Sequence, residues 1–484
     1  MAQSFTQTTY ANRKFRRFAR CRKGAVAAIV ALSMTPMVGA MGLAVDTARG
    51  YLVKSRLTQA VDAAGLAGGR VMSSSNRDAD IAMYFSANYP SGFLGSTVQG
   101  PTITQSADGN SLTLVASASV PTTFLSVLHI PNMQVQSSAE ITRQILPLEV
   151  VVSLDLSGSM ATTDAGGGLT REKAAQNAVT TLINILFGSS TTATNLKVGL
   201  VPWNGKTNVW LAGQSYSSSL TTTQPAPAGF INPITNTAQS TLWQANNSPV
   251  LLLSKPPSNW KGCVYERYLA DGNSTDDADI YEGDYTGGGK TWISAWQPIG
   301  PEGEPGTGCT APNGSCTPCL TKGITPMTNN KTTILNAISA LPSPRGDTNQ
   351  VSGLGWAWRM LTPTAPFTES TSNQQKTQQA IILATDGQNN AGYGDAYNAA
   401  FGLGSAGEPG MDARLKLLAA NIKAAGISIY VIQEGTVSSA LQTLLKGIAT
   451  SPDPPYYFYA PDATTLNSSF QQIADHLSSL RLSM

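Results

Sequence analysis

The stretch VVSLDLSGSM, residues 151–160, decides the reading of this chain. Its first half is apolar and β-branched, the pattern of a strand buried on both faces. It ends at Asp155. Ser157 and Ser159 follow, spaced two apart around Gly158. A strand that stops in a carboxylate and is followed at once by two hydroxyls places three oxygen donors on one loop. The plainer alternative is that each serine caps a helix.

The neighbouring sequence supplies the rest of a parallel sheet. A helix is expected from Thr170 to Leu186, then a strand over Lys197–Trp203. QAIILATDG is a second continuous apolar strand, ending at Asp386. DARLKLLAANIKAAG is an amphipathic helix stopped by Gly426, ISIYVIQ is a further strand, and a last helix starts near Ala463. Apolar strands alternating with helices predict a doubly wound, mostly parallel α/β sheet covered on both faces. In such sheets ligands bind beyond the carboxyl ends of the strands. Asp155 and Asp386 both sit at such ends, and Thr348, in PRGDTNQVSGLGWAWRML, offers a third hydroxyl ahead of another helix. Asp155, Ser157, Ser159, Thr348 and Asp386 together give five oxygen donors, two of them charged. That set suits a hard divalent cation, Mg²⁺ first and Mn²⁺ or Ca²⁺ in its place. So few protein anions would leave room for a carboxylate from a protein partner. The chain has only two histidines, which argues against an imidazole site.

DLSGSM, GDT and ATDG, in this order and about 190 and 40 residues apart, resemble the metal-ion-dependent adhesion site of a von Willebrand factor type A domain. The resemblance implies that Ser157 and Ser159 bind metal directly, and that Thr348, Asp386 and Asp155 join directly or through water. It also implies a binding and adhesion role rather than an enzymatic one. A metal-dependent hydrolase would need a free base near the ion, and only Asp155 and Asp386 are on offer in these loops. A structural envelope subunit with a vestigial metal site is the other alternative.

The N-terminus has a different character. Residues 1–23 carry seven Lys/Arg and no acid, leaving 24 basic against 29 acidic residues in the rest. A basic tail on a mildly acidic body argues against nucleic-acid binding by that body. Residues 24–45, GAVAAIVALSMTPMVGAMGLAV, hold no charge. As a helix they would extend about 33 Å, enough to cross a hydrocarbon core of about 30 Å. The positive-inside rule then puts the tail in the cytoplasm and the bulk of the chain outside the inner membrane. A signal peptide cleaved after Ala40 is the competing reading. Leu57, Ala60, Val61 and Ala64 continue at helical spacing, which favours one uncut helix. KGAVAAIVAL with VDTARGYLVKSRLTQAVDAAGLAGG is similar to the N-terminal segment of TadE/TadG-like Flp pilus-assembly proteins, whose TadG members end in an A-type domain. Processed pilin-like proteins carry Glu five residues after the cleavage glycine. Here Gly24 is followed at that spacing by Ile29, and this departure from the pattern favours a static anchor over processing and assembly into a fibre.

Three domains are expected: 1–70 with the basic tail, the span and its extension; 71–146, a small β-rich module with strands joined at Asp108-Gly109-Asn110; and 147–484, the A-type domain. The last is interrupted at about 204–326 by an aperiodic stretch rich in Ser, Thr, Pro, Gly and Trp. That insertion carries Cys263, Cys309, Cys316 and Cys319, two disulfides in an oxidising compartment. Their pairing is open, although Cys263 with Cys319 would close the ends of the loop. Cys316-Thr-Pro-Cys319 as a redox pair or half a zinc site is the alternative. Cys21 is expected to be a cytoplasmic thiol or a lipidation site. DYTGGGKTW fails as a phosphate loop because Asp284 stands where glycine is required. DGNSTDDADIYEGD, from Asp271, fails as an EF-hand at Asp276. Arg345-Gly346-Asp347 spells an integrin-recognition tripeptide but overlaps the loop delivering Thr348.

Overall fold

The computed structural model describes residues 22–480 apart from 73, 75, 107–110, 143–145, 165, 212–213, 269–276, 306–315, 372–376, 392–409 and 436–437. Cys21, the basic tail up to that point, the Asp108–Asn110 turn, Cys309 and the first half of the acidic stretch from Asp271 lie outside the described residues. The chain divides into two compact units, Met1–Gln144 and Ile145–Met484.

In the first unit one helix, α1, runs without a break from Arg22 to Arg70, through Pro36. Its two halves meet different surroundings. Leu32 and Met41 are 77 % and 60 % exposed, whereas Val53, Leu57, Ala60, Val61 and Ala64 are fully buried. A water-soluble core helix would not leave its most apolar half bare, so the first half has the exposure of a helix that crosses a membrane. The second half packs with α2 (Arg77–Asn88) on a three-stranded antiparallel sheet, β1 (Thr97–Gln105), β2 (Ser111–Pro121) and β3 (Asn132–Thr142). Every second residue of β2 faces the helix: Leu112, Leu114, Ala116, Ala118 and Val120 are buried. Gly65 and Gly69 let the helix backbone lie against Ile141, whose atoms would sit within 2.4 and 2.9 Å of a Cβ at those positions. The boundary expected at 70/71 therefore falls inside a single packed unit, because helix and sheet have one core between them.

The second unit is the mixed α/β sheet. Its strands are β4 (Leu148–Asp155), β5 (Leu196–Trp203), β6 (Thr207–Asn208), β7 (Cys263–Val264), β8 (Thr325–Thr328), β9 (Gln378–Thr385), β10 (Ser428–Glu434) and β11 (Tyr457–Ala460), in the order β7-β6-β5-β4-β9-β10-β11 with β8 beside β5. β5, β4, β9, β10 and β11 run parallel; β6 and β8 each pair antiparallel with β5, and β7 pairs antiparallel with β6. All eight residues of β4 are buried, as a central strand covered on both faces requires. α3 (Arg171–Phe187), α4 (Lys331–Ser339) and α8 (Ala463–Leu480) cover one face. α5 (Gln350–Leu361), α6 (Gly410–Ala424) and α7 (Ser439–Ile448) cover the other.

The insertion is more ordered than its sequence suggested. Thr222–Pro225, Thr241–Gln244, Leu251–Leu252 and Ala295–Trp296 make a small sheet, and β6 and β7 extend the main one. Cys263 and Cys319 are disulfide-bonded, which removes Cys316–Cys319 as a redox pair or zinc half-site; Cys316 is disulfide-bonded too. Tyr285–Gly287 and Lys290–Trp292 pair as a hairpin, so the glycine run is a turn. A buried ionic clasp ties the insertion to the helices of the main sheet. Asp279 Oδ1 accepts from Arg267 Nε at 2.7 Å and from Arg359 Nη2, on α5, at 2.5 Å. Arg267 stacks over the Trp296 ring at 4.3 Å, and Arg359 over Trp356 at 4.9 Å. Asp277 pairs with Arg414 of α6.

Candidate metal centre

β4 and β9 are adjacent and parallel, with Ala384 opposite Leu154. Their carboxyl ends therefore deliver Asp155 and Asp386 to one edge, as the sequence pattern requires. From there the geometry can be followed atom by atom. Asp155 is fully buried and both its oxygens are engaged: Oδ1 accepts the Ser157 backbone N–H at 2.7 Å and Oδ2 accepts the Thr385 hydroxyl at 2.7 Å. It shapes the loop rather than pointing a free oxygen outward. The Ser157 and Ser159 hydroxyls lie 3.1 Å apart, and Ser159 Oγ donates to Asp386 Oδ1 at 2.5 Å. Ser157 opens a 3₁₀ turn over Gly158–Ala161 and makes no side-chain cap bond. The helix-cap alternative therefore does not describe it.

Thr348 joins from the loop before α5. A Cβ placed on Gly387 would lie 3.0 Å from Thr348 Oγ1 and 3.5 Å from Ser159 Oγ. The two hydroxyls thus flank the same point, and the bare glycine leaves it open. Backbone bonds hold the three loops together. Gly158 N donates to Gly346 O at 2.8 Å and Arg345 N to Leu156 O at 2.9 Å. Thr348 N donates to Asn390 Oδ1 at 2.7 Å, and Gln350 N to Asn389 Oδ1 at 2.8 Å. Arg345-Gly346-Asp347 is the strut of this junction, with Gly346 at φ +81°, a conformation that suits glycine.

Two charged groups escaped the sequence reading. Arg171, the first residue of α3, donates from Nη1 to Asp386 Oδ2 at 2.5 Å. Glu434, the last residue of β10, is buried, and its Oε1 has no hydrogen-bond partner among the described residues. Burial pushes the Glu434 carboxyl well up, and the charges of Asp386 and Asp155 push it further; Arg171 opposes them. Burial, then the Asp386 charge, pushes Asp155 up to about 7. Three carboxylates thus share one guanidinium, and the site is short of positive charge. This corrects the premise that only two carboxylates serve the edge. The available signal was that ISIYVIQEG ends its strand at the same edge as Asp155 and Asp386. Among the described residues no three His, Cys, Asp or Glu side chains group closely enough to hold a metal by themselves. The convergent donors are mainly hydroxyls, and they fit a hard divalent ion better than a soft one.

The insertion buttresses this edge. Thr317 Oγ1 accepts the Asp347 N–H at 3.0 Å, next to Thr348. Asn204 Nδ2 donates to Pro318 O at 3.0 Å and to Arg345 O at 2.9 Å, and Lys206 Nζ donates to Thr317 O at 2.5 Å. Cys316 and Cys319, on either side of Thr317, are both disulfide-bonded. Replacing Thr317 with Val keeps the shape and removes the acceptor. The expected result is a divalent-cation affinity weaker by about tenfold, the scale of outer residues around metal sites, with little change in thermal midpoint. Calorimetric titration of both chains checks it.

Two family models match parts of the chain. A family model described as Flp pilus-assembly TadE/G-like matches residues 24–71. A von Willebrand factor type A domain model matches residues 322–472, which include Thr348 and Asp386. No curated protein matches the chain. Among solved structures, the vWF domain of the type V pili tip protein Mfa5 from Porphyromonas gingivalis is 13 % identical, with 70 % of this chain and 97 % of that one covered, at a TM-score of 0.35. The PilB minor pilin from Streptococcus sanguinis is 12 % identical, with 80 % and 79 % covered, at 0.35. Proximal thread matrix protein 1 from the mussel byssus is 13 % identical, with 70 % and 47 % covered, at 0.30; the chain spans about half the length of that protein. The chain joins a TadE/G-like pilus-assembly segment at its N-terminus to a von Willebrand factor type A domain at its C-terminus.

Proposed function

We propose that this chain is a membrane-anchored protein of pilus assembly or adhesion that holds a protein partner through a divalent cation at the carboxyl edge of its sheet. One observation supports this above the others: the Ser157, Ser159 and Asp386 oxygens form a continuous hydrogen-bonded row, with the Thr348 hydroxyl facing it across Gly387. Ser157, Ser159, Thr348 and Asp386 would hold the ion, and Asp155 would fix the loop from beneath. Bound there, Mg²⁺ would supply a Lewis-acidic point able to take a carboxylate from the partner. Arg171 would keep its place on Asp386 and limit the charge left over. The long apolar helix is the anchor in this reading, with the basic tail on the cytoplasmic side and the second unit on the far side of the membrane. An enzymatic role is not part of it, since the carboxylates at the edge are tied down or buried.

Capture of envelope proteins on the full chain, with and without chelator, tests this. Partner binding is expected to need the cation and to fail in Asp155→Ala. A stably folded Asp155→Ala chain that captures the same partner normally would contradict the proposal.

A further inference from the structure

The first unit carries an apolar loop that its sheet does not use. Residues 122–131, between β2 and β3, lie along α1 rather than over the sheet core. Phe124, Val127 and Ile130 are 41 %, 78 % and 47 % exposed. Phe124, Leu125 and Val127 border one apolar groove with Met34, Val38 and Leu43 of α1. The approach is intimate: a Cβ on Gly42 would lie 2.3 Å from Phe124 Cβ. Met34 precedes Asp46 by twelve residues, or about 18 Å of helix. The loop therefore runs beside the uncharged stretch of α1, on the side of Asp46.

A loop at that depth must satisfy its own backbone, and most N–H groups of this one have a partner. Asp46, 1 % exposed, accepts the N–H groups of Thr123, Phe124 and Leu125 at 3.0, 2.9 and 2.8 Å. Thr122 N donates to Pro131 O, Val127 N to Phe124 O, His129 N to Ser126 O and Ile130 N to Leu125 O, at 3.0 to 3.2 Å. From Thr122 to Gln134 there is no Asp, Glu, Lys or Arg. Polar anchors begin just beyond. Arg49 binds Thr123 Oγ1 at 3.0 Å and Leu94 O at 2.9 Å, and Tyr51 is exposed, as aromatic residues at a membrane interface are.

We propose that the 122–131 loop is a second membrane-inserted element, which sinks Phe124, Val127 and Ile130 into the leaflet nearest Asp46, alongside α1. The partner is the bilayer, because the loop's apolar surface is continuous with the bare half of α1. This rests on reading α1 as the membrane anchor. Its consequence is mechanical: a helix held by one span can swivel, whereas a span with an inserted loop fixes the first unit against the membrane.

The test uses the full chain with Cys21→Ser, carrying either Val127→Cys or Gln134→Cys. Each is reconstituted in phosphatidylcholine–phosphatidylglycerol vesicles permeabilised to a water-soluble maleimide. Both positions are exposed in the structure. A thiol in hydrocarbon does not ionise, so Val127→Cys is expected to label about tenfold more slowly than Gln134→Cys, or slower still. Flotation of the chain with the vesicles reports the anchor separately. Equal labelling in chains that float would overturn the inserted loop and leave the anchor standing. Chains that do not float would overturn both. Protection that disappears as protein is diluted in lipid would show that a second copy covers the loop, and would also overturn the proposal.

Discussion

Asp386→Ala is expected to lose divalent-cation affinity by about 100-fold or more, since even outer residues around metal sites cost about 10- to 100-fold when changed. The reason lies in the geometry. Asp386 Oδ1 is the end of the hydroxyl row, and Oδ2 is held by Arg171. Removing the carboxylate deletes a charged donor and frees the guanidinium to face any incoming cation. The stability effect should be smaller than for an ordinary buried pair. Loss of a partner for Arg171 costs free energy, but removal of Asp386 relieves repulsion on Asp155 and Glu434. The affinity of the unmodified chain should also fall between pH 8 and pH 6. Asp155 is pushed up to about 7 without an ion, so its ionisation costs the ion-free fold stability progressively from about pH 4 to pH 7, and below about 7 its proton removes negative charge that would draw the cation to the edge. Titration calorimetry with Mg²⁺ at both pH values, on both chains, measures these effects. Unchanged affinity in Asp386→Ala would remove this residue from the site.

Asp279→Ala is expected to cost the most stability of any single change outside the sheet core, about 3–5 kcal/mol. Asp279 answers two guanidinium groups, Arg267 and Arg359, and accepts weakly from Trp296 Nε1 at 3.3 Å. Burial alone would raise its carboxyl; Arg359 and Arg267 outweigh that and hold it below the usual range. Burial pushes Arg359 down to about 10 even with the Asp279 charge supporting it, so beside Asp279 it is charged at neutral pH. Truncation leaves two buried guanidinium groups stacked on tryptophans without the carboxylate that both of them bind. Urea denaturation followed by tryptophan fluorescence should show a clear drop in midpoint. Asp279→Asn should recover part of it through its amide oxygen, and an unfolding free energy of Asp279→Ala within about 0.5 kcal/mol of the parent, the range of ordinary surface changes, would show that the clasp is not what fastens the insertion.

How far the sequence carries depends on the range of the interaction. Val150–Val152 and Ala380–Ala384 are apolar runs that do not alternate with polar residues, as a strand covered on both faces requires. The helical spacing of Leu57, Ala60, Val61 and Ala64 likewise reports a local period, and all four are buried. The meeting of Ser159 with Asp386 was legible because both follow strands that must end at one edge. Glu434 was not, because its approach depends on strand register: Thr385 stands opposite Gln433, which sets Glu434 next along beside Asp386. Arg171 reads locally as the opening residue of a helix, and nothing near it in sequence says that it will answer a carboxylate 215 residues away. The insertion was opaque for the same reason. Its strands are mostly two to four residues long, too short for a period, and its order comes from the Cys263–Cys319 bond and from Arg267, Asp279 and Arg359 meeting across the chain.

The most direct measurement is anomalous X-ray diffraction from crystals of the chain grown with Mn²⁺. Three loops should converge on one ion, with a single strong peak at about 2.2 Å, close to the oxygen distances of hard cations, from the Ser157 and Ser159 hydroxyls and from Asp386 or Thr348. A well-ordered edge with no peak there, or a peak held by other residues, would contradict it.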